Sequence, residues 1–164
     1  MRHTKDPQID EQVRAFGERM RAARAAAGLS QVALSEATQL DRAAISFLER
    51  AERCPDLSTL VRVGRALDVT PSDLLKGVGE GTRRFERPSY EGVSEEPAAR
   101  LGVNLRAARI QAGLSQETLG YEAEVDRAAI SVYERGGRGP NLRTVLKLAR
   151  ALGMRPTALL EGVE

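Results

Sequence analysis

Gly28–Pro55 reads GLSQVALSEATQLDRAAISFLERAERCP, and Gly113–Pro140 reads GLSQETLGYEAEVDRAAISVYERGGRGP. The hexapeptide DRAAIS stands in both, at Asp41–Ser46 and Asp126–Ser131. Working outward from it, a shift of 85 residues aligns Phe16–Val78 with Leu101–Val163 without a gap, and about half of the paired positions are identical. Each copy is about 63 residues, too long for a solenoid repeat and long enough for a small domain. The chain therefore reads as two tandem domains of one fold.

Within each copy the apolar period is helical and not alternating. Val13, Phe16, Met20, Ala23 and Ala27 form one stripe, ended by Gly28; Leu101, Leu105, Ala108 and Ala112 repeat it, ended by Gly113. Ser30 and Ser115 offer N-cap oxygens to a second helix beginning at Gln31 or Gln116, and Asp41 and Asp126 stand where the next caps are expected. The third helix is expected over about Arg42–Arg50 and Arg127–Arg135, with Ile45, Leu48, Ile130 and Tyr133 inward. In the first copy it is expected to run on through Glu52, because Ala51 stands where the second copy has Gly136. A fourth helix follows Pro55, with Leu57, Leu60, Val61, Gly64 and Leu67 on one face, and Thr70-Pro71 starts a short fifth. The fold class is all-α, with five short helices per copy.

Residues 1–12 read as an N-terminal tail, 13–78 as the first domain, 79–99 as a flexible linker rich in Gly, Glu and Pro, and 100–164 as the second domain. Net charge is +2 overall, about +2 on the first copy and about +4 on the second, so the folded units hold the positive charge. A lone Cys54 builds no internal disulfide, and a lone His3 in a polar tail makes a metal site unexpected. No long apolar run and no secretory pattern stand in the sequence, which points to a cytoplasmic protein without a membrane span. Nothing supplies a nucleophile with its base or a phosphate-cradling glycine loop, so neither an enzyme nor a cofactor is expected.

Gly-Leu-Ser-Gln, then Leu34, Leu40, Ile45, Glu49-Arg50, Pro55, Leu60, Leu67 and Leu74-Leu75 together resemble the helix-turn-helix domain of the lambda repressor and Cro (XRE) type. The second copy matches with Gln116, Leu119, Val125, Ile130, Glu134-Arg135, Pro140, Val145, Leu152 and Leu159-Leu160. The turn between the second and third helices departs from the family pattern, with Gln39 and Glu124 where Gly is usual.

The resemblance implies double-stranded DNA as partner and the third helix as the one that enters the major groove. Its outward positions are Arg42, Ala43, Ser46 and Phe47, and in the second copy Arg127, Ala128, Ser131 and Val132. An Arg can donate two parallel bonds to guanine, a small Ala permits close approach, and Ser suits a base or a phosphate. Gln31, Arg50 and Arg53, with Gln116, Arg135 and Arg138, are expected at phosphates. Arg24 with Glu49, and Arg109 with Glu134, are implied ion pairs of the scaffold. Asp41 and Asp126 read as helix caps, and Phe47 as either a thymine-methyl contact or packing at the helix end. Arg83-Arg84-Phe85 either reaches a minor groove or stays linker, with Phe85 or Tyr90 covering a domain surface.

Two function classes follow. One is a sequence-specific transcriptional regulator, a repressor, acting as a monomeric pseudo-dimer on inverted or direct half-sites, with a homodimer as the other arrangement. The second is a protein-interaction or oligomerisation module in which one or both domains leave DNA alone; it would need none of Gln31, Arg42, Ser46 or their twins.

Overall fold

The computed structural model describes residues 6–164, so His3 lies outside the described part. The first unit comprises α1 (Pro7–Ala26), α2 (Gln31–Thr38), α3 (Arg42–Glu49), α4 (Leu57–Leu67) and α5 (Pro71–Leu74). The second comprises α6 (Pro97–Gln111), α7 (Gln116–Ala123), α8 (Arg127–Glu134), α9 (Leu142–Ala151) and α10 (Pro156–Leu159). Among the described residues there is no strand, only one isolated antiparallel bridge between Asp56 and Asn141, and no helix is long and apolar enough to cross a membrane.

Local chemistry explains where each helix starts and stops. Ser30 accepts from Ala33 N–H at 3.0 Å, Ser115 from Thr118 N–H at 2.9 Å and Asp41 from Ala44 N–H at 2.6 Å. Asp126 accepts one residue earlier, from Ala128 N–H at 2.7 Å. Each such cap is worth about 1 kcal/mol. Gln39 and Glu124 end α2 and α7 in the left-handed region, at φ 54° and 52°, a conformation costing about 1 kcal/mol without glycine. Leu40 and Val125 N–H groups then bond back to Ser35 and Gly120 carbonyls and close the turn.

Two expectations are corrected. The third helix of the first unit does not run through Glu52: it ends at Glu49, and Ala51 itself takes φ 57°. Glu52 N–H bonds to Phe47 O at 2.9 Å, so the chain breaks as it does at Gly136, at the cost of a strained alanine. The expected tail 1–12 is helical from Pro7, because Asp6 caps Ile9 N–H and Ile9 is fully buried.

The core of each unit is the expected apolar set: Val13, Phe16, Met20, Leu34, Ile45, Leu48 and Leu60 in the first, Leu101, Leu105, Leu119, Ile130, Tyr133 and Val145 in the second. Two glycines set how closely the first helix approaches the third. A Cβ on Gly17 would stand 2.7 Å from Glu49 O, and one on Gly102 2.3 Å from Tyr133 O. The end of the third helix rests on those bare positions.

The units pack on each other about a pseudo-two-fold axis. α1 lies on α9 while α4, the twin of α9, lies on α6, the twin of α1; α5 meets its own twin α10. At the axis, residues 85 apart touch: Asp56 bridges Asn141, and Ser72 Oγ donates to Thr157 O at 3.2 Å. Leu142 N–H adds a bond to Pro55 O at 2.9 Å, and Leu57 presses on Gly139, where a Cβ would be 2.3 Å away. Reciprocal contact of equivalent residues is the mark of an isologous interface.

The segment between the units has no helix before Pro97, and it is fastened down along the second unit. Arg83 donates from N–H to Gly153 O at 3.0 Å and from Nε to Leu152 O at 2.9 Å. Phe85 packs on the core, Glu86 exchanges two hydrogen bonds with Gln111, and Tyr90 Oη reaches Asn104 Oδ1 and Glu161 O, each at 2.7 Å. The expected freedom of this linker is thus replaced by a strap, because its two aromatic rings and its backbone find partners on one surface. Cys54 is half-buried at the seam, where its Sγ accepts Arg143 N–H at 3.3 Å and burial pushes the thiol's pKa up.

Candidate nucleic-acid interface

The third helix of each unit has an apolar back and a polar front. Ala44, Ile45 and Leu48 of α3 are buried, as are Ile130 and Tyr133 of α8. On the outer side Arg42, Ala43, Arg127 and Ala128 are exposed, and Ser46, Phe47, Ser131 and Val132 are half-buried. On α3 this front forms a shallow concavity of about 320 Å³ lined by Arg42, Ala43, Ser46, Phe47 and Arg50. Five of the residues singled out from sequence therefore share one surface.

Behind that front a three-residue lock joins the helices. Arg24 Nε and Nη2 donate to the two carboxylate oxygens of Glu49 at 2.5 and 3.0 Å, and Arg24 Nη1 donates to Leu29 O at 2.9 Å. Gln31 Nε2 donates to Glu49 Oε2 at 3.0 Å. In the second unit Arg109 binds Glu134 at 2.5 and 2.9 Å and Leu114 O at 2.9 Å, while Gln116 donates to Glu134 at 2.9 Å. Burial alone would raise the pKa of Glu49, but the bonds from Arg24 and Gln31 and the Arg24 charge outweigh it and hold the carboxyl below its ordinary value. Glu134 is lowered in the same way, against its burial, by Arg109 and Gln116.

The place of Gln31 and Gln116 was only half legible in the sequence. Each opens its helix, where free amides and the helix dipole suit a phosphate. Each also spends one carboxamide proton on the glutamate that ends the third helix, which leaves the second proton free. The signal for this was the repeated Gln-to-Glu spacing, Gln31 to Glu49 and Gln116 to Glu134. Gly17 and Gly102 were missed too, since a glycine inside a helix reads as a weak point until the opposing backbone is known.

Around the helix ends, Arg50, Arg53, Arg135 and Arg138 are all exposed. Arg84 is exposed on the strap, while Arg83 is engaged with Leu152 and Gly153 carbonyls, so the contacts favour the linker reading of that stretch, with Phe85 and Tyr90 on a domain surface, over a minor-groove arm.

A helix-turn-helix family model matches this chain twice, over residues 20–74 and 105–159. The chain belongs to the helix-turn-helix family. Both matches span the second and third helices of a unit, so this helix-turn-helix protein carries two complete motifs and is a DNA-binding regulator by family. It is similar to control protein C.BamHI of Bacillus amyloliquefaciens, with 38% identity over 62 residues, covering 37% of this chain and 76% of that protein. It is also similar to the solved restriction-modification controller protein C.AhdI from Aeromonas hydrophila, at 38% identity, 39% of this chain, 96% of that chain and a TM-score of 0.37. Each match is one unit long, whereas the helix-turn-helix protein described here has two.

Proposed function

We propose that this protein is a sequence-specific repressor in which one chain occupies one operator as a pseudo-dimer, reading an inverted repeat with α3 and α8. The observation that carries this reading is the pairing of Asp56 with Asn141 on the pseudo-two-fold axis. Those residues lie in the loops that leave the two third helices, so the helices flank the axis and are related by a half-turn. A half-turn would present the two heads to antiparallel strands, which supports inverted over direct half-sites, expected about 34 Å apart as for two-fold helix-turn-helix dimers.

In this reading Arg42 and Arg127 donate to guanine edges, with Ala43, Ala128, Ser46 and Ser131 beside them and Phe47 or Val132 at the margin. Gln31, Gln116 and the arginines at the helix ends hold phosphates and set the register. The protein works on chromosomal DNA in the cytoplasm.

Selection of bound duplexes from a random pool tests the proposal. An imperfect inverted repeat is expected, with one chain per minimal site by light scattering. Arg42→Ala and Arg127→Ala should each relax a different half by about 1–3 kcal/mol of discrimination. A direct repeat, or unchanged preference in both variants, overturns the reading.

A further inference from the structure

The two heads differ at the ends of their third helices. In the first unit Arg50 is gripped on two sides: its Nε stands 3.1 Å from Glu52 Oε1, and its guanidinium lies 5.4 Å from the centre of the Phe47 ring. Arg53 lies over the same ring at 6.0 Å. The twin of Glu52 is Gly137 and the twin of Phe47 is Val132. Arg135, the twin of Arg50, therefore has neither the carboxylate nor the ring, and no ion pair involves it among the described residues. Arg138 stacks on Tyr133 at 5.8 Å, as Arg53 does on Phe47, so the imbalance centres on Arg50 against Arg135.

We propose that Glu52 makes the heads unequal: it holds Arg50 back from the DNA backbone, so the second head anchors the protein electrostatically and the first depends on base contacts. This rests on the DNA-binding reading above. A carboxylate beside the end of a recognition helix acts twice. It occupies the guanidinium that would otherwise meet a phosphate, and its own charge repels that phosphate. The ion pair is exposed, with side chains 56% and 51% accessible, so DNA can break it at modest cost; the effect is graded and not all-or-none. With that sequence-independent attraction weakened at Arg50, the first head leans more than the second on Arg42, Ser46 and Phe47 meeting the right bases. Discrimination is thereby concentrated in one half of the operator and attachment in the other.

The test is the salt dependence of binding to a random-sequence duplex, read by fluorescence anisotropy with the whole chain. Arg135→Ala is expected to reduce the slope of log affinity against log salt by about 0.9, the value of one phosphate contact, and Arg50→Ala by less than half as much. Glu52→Gln should steepen the slope and tighten low-salt binding about three- to tenfold, and in that background Arg50→Ala should cost as much as Arg135→Ala. Gly137→Glu installs the carboxylate in the second head, with only a 3.2 Å approach of its Cβ to Val132 Cγ1 to relieve, and should flatten the slope. Equal losses for Arg50→Ala and Arg135→Ala, with Glu52→Gln at the wild-type slope, overturn this inference while steep wild-type binding leaves the proposed function standing. A wild-type chain without duplex binding overturns both.

Discussion

The two seams that join the units are twins by construction and unlike in substance. Where α1 meets α9, Asp6 pairs with Arg150 at 2.7 Å, Asp10 with Arg143 at 2.7 Å, and Ile9 is fully buried. Where α6 meets α4, the positions matching Asp10, Ile9 and Arg143 are Glu95, Ser94 and Ser58, and a groove of about 660 Å³ stays open beside Arg62 and Arg65. The cause is in the chain path. Residues ahead of α6 are committed to the strap on the second unit, so α6 starts at Pro97 with no side-chain cap, while α1 reaches back to Pro7 and lays an extra turn along its partner. The two-fold character is thus set at the axis, and the edges are free to diverge.

What did not diverge should respond alike in both halves. The largest expected effect is loss of the buried lock: Arg24→Ala or Arg109→Ala leaves Glu49 or Glu134 without its main counter-charge and should cost about 3–5 kcal/mol in urea unfolding. Costs differing by more than about 1 kcal/mol between the two would break the equivalence of the scaffolds.

The seam comparison predicts a large asymmetry. Ile9→Ala removes a fully buried side chain and should cost about 2–4 kcal/mol, whereas Ser94→Ala, at the matching exposed position, should stay within about 0.5 kcal/mol. Equal effects would show that the α1–α9 seam is no stronger than the other.

A finer contrast lies between the two bare helix contacts. Gly17→Ala and Gly102→Ala should each cost about 1–3 kcal/mol by overpacking, with Gly102 the more sensitive because its opposing carbonyl is closer. Thermal unfolding of the two variants decides the order.

Acid should produce the smallest difference. Glu49 and Glu134 have lowered pKa values, so their stabilisation is present above the ordinary carboxylate value and is lost in both units as pH falls through the folded values. Only the first unit also has Asp73, whose carboxyl is brought down to about 2 by Lys76 and by the backbone and hydroxyl of Thr70 in a capping box. Its twin is Ala158. Between the ordinary aspartate value and pH of about 2, amide exchange should therefore quicken in α5 and not in α10.

The helices were legible because their causes are local. Ser30, Asp41 and Thr70 announce starts, and the stripe from Val13 to Met20 announces a buried face, whatever the rest of the chain does. The outward set on α3 and α8 was legible for the same reason, being the complement of a buried set. What stayed hidden depends on distant partners. PQIDEQ, residues 7–12, looks like a solvated tail because the arginines that hold Asp6 and Asp10, Arg150 and Arg143, belong to the other unit. The strap looked free because nothing near Phe85 or Tyr90 in sequence marks where those rings dock. Ala51 misled because a left-handed alanine is paid for by closing bonds from residues that follow it.

The strap of residues 79–96 has a consequence for dosage. A regulator assembled from separate subunits must first find its partner, so its occupancy falls off faster than its concentration when a cell divides. Heads held on one chain share a fixed local concentration that dilution does not change. On the proposed reading of one chain per operator, occupancy follows a plain saturation curve, and control fades gradually with copy number instead of collapsing below a threshold.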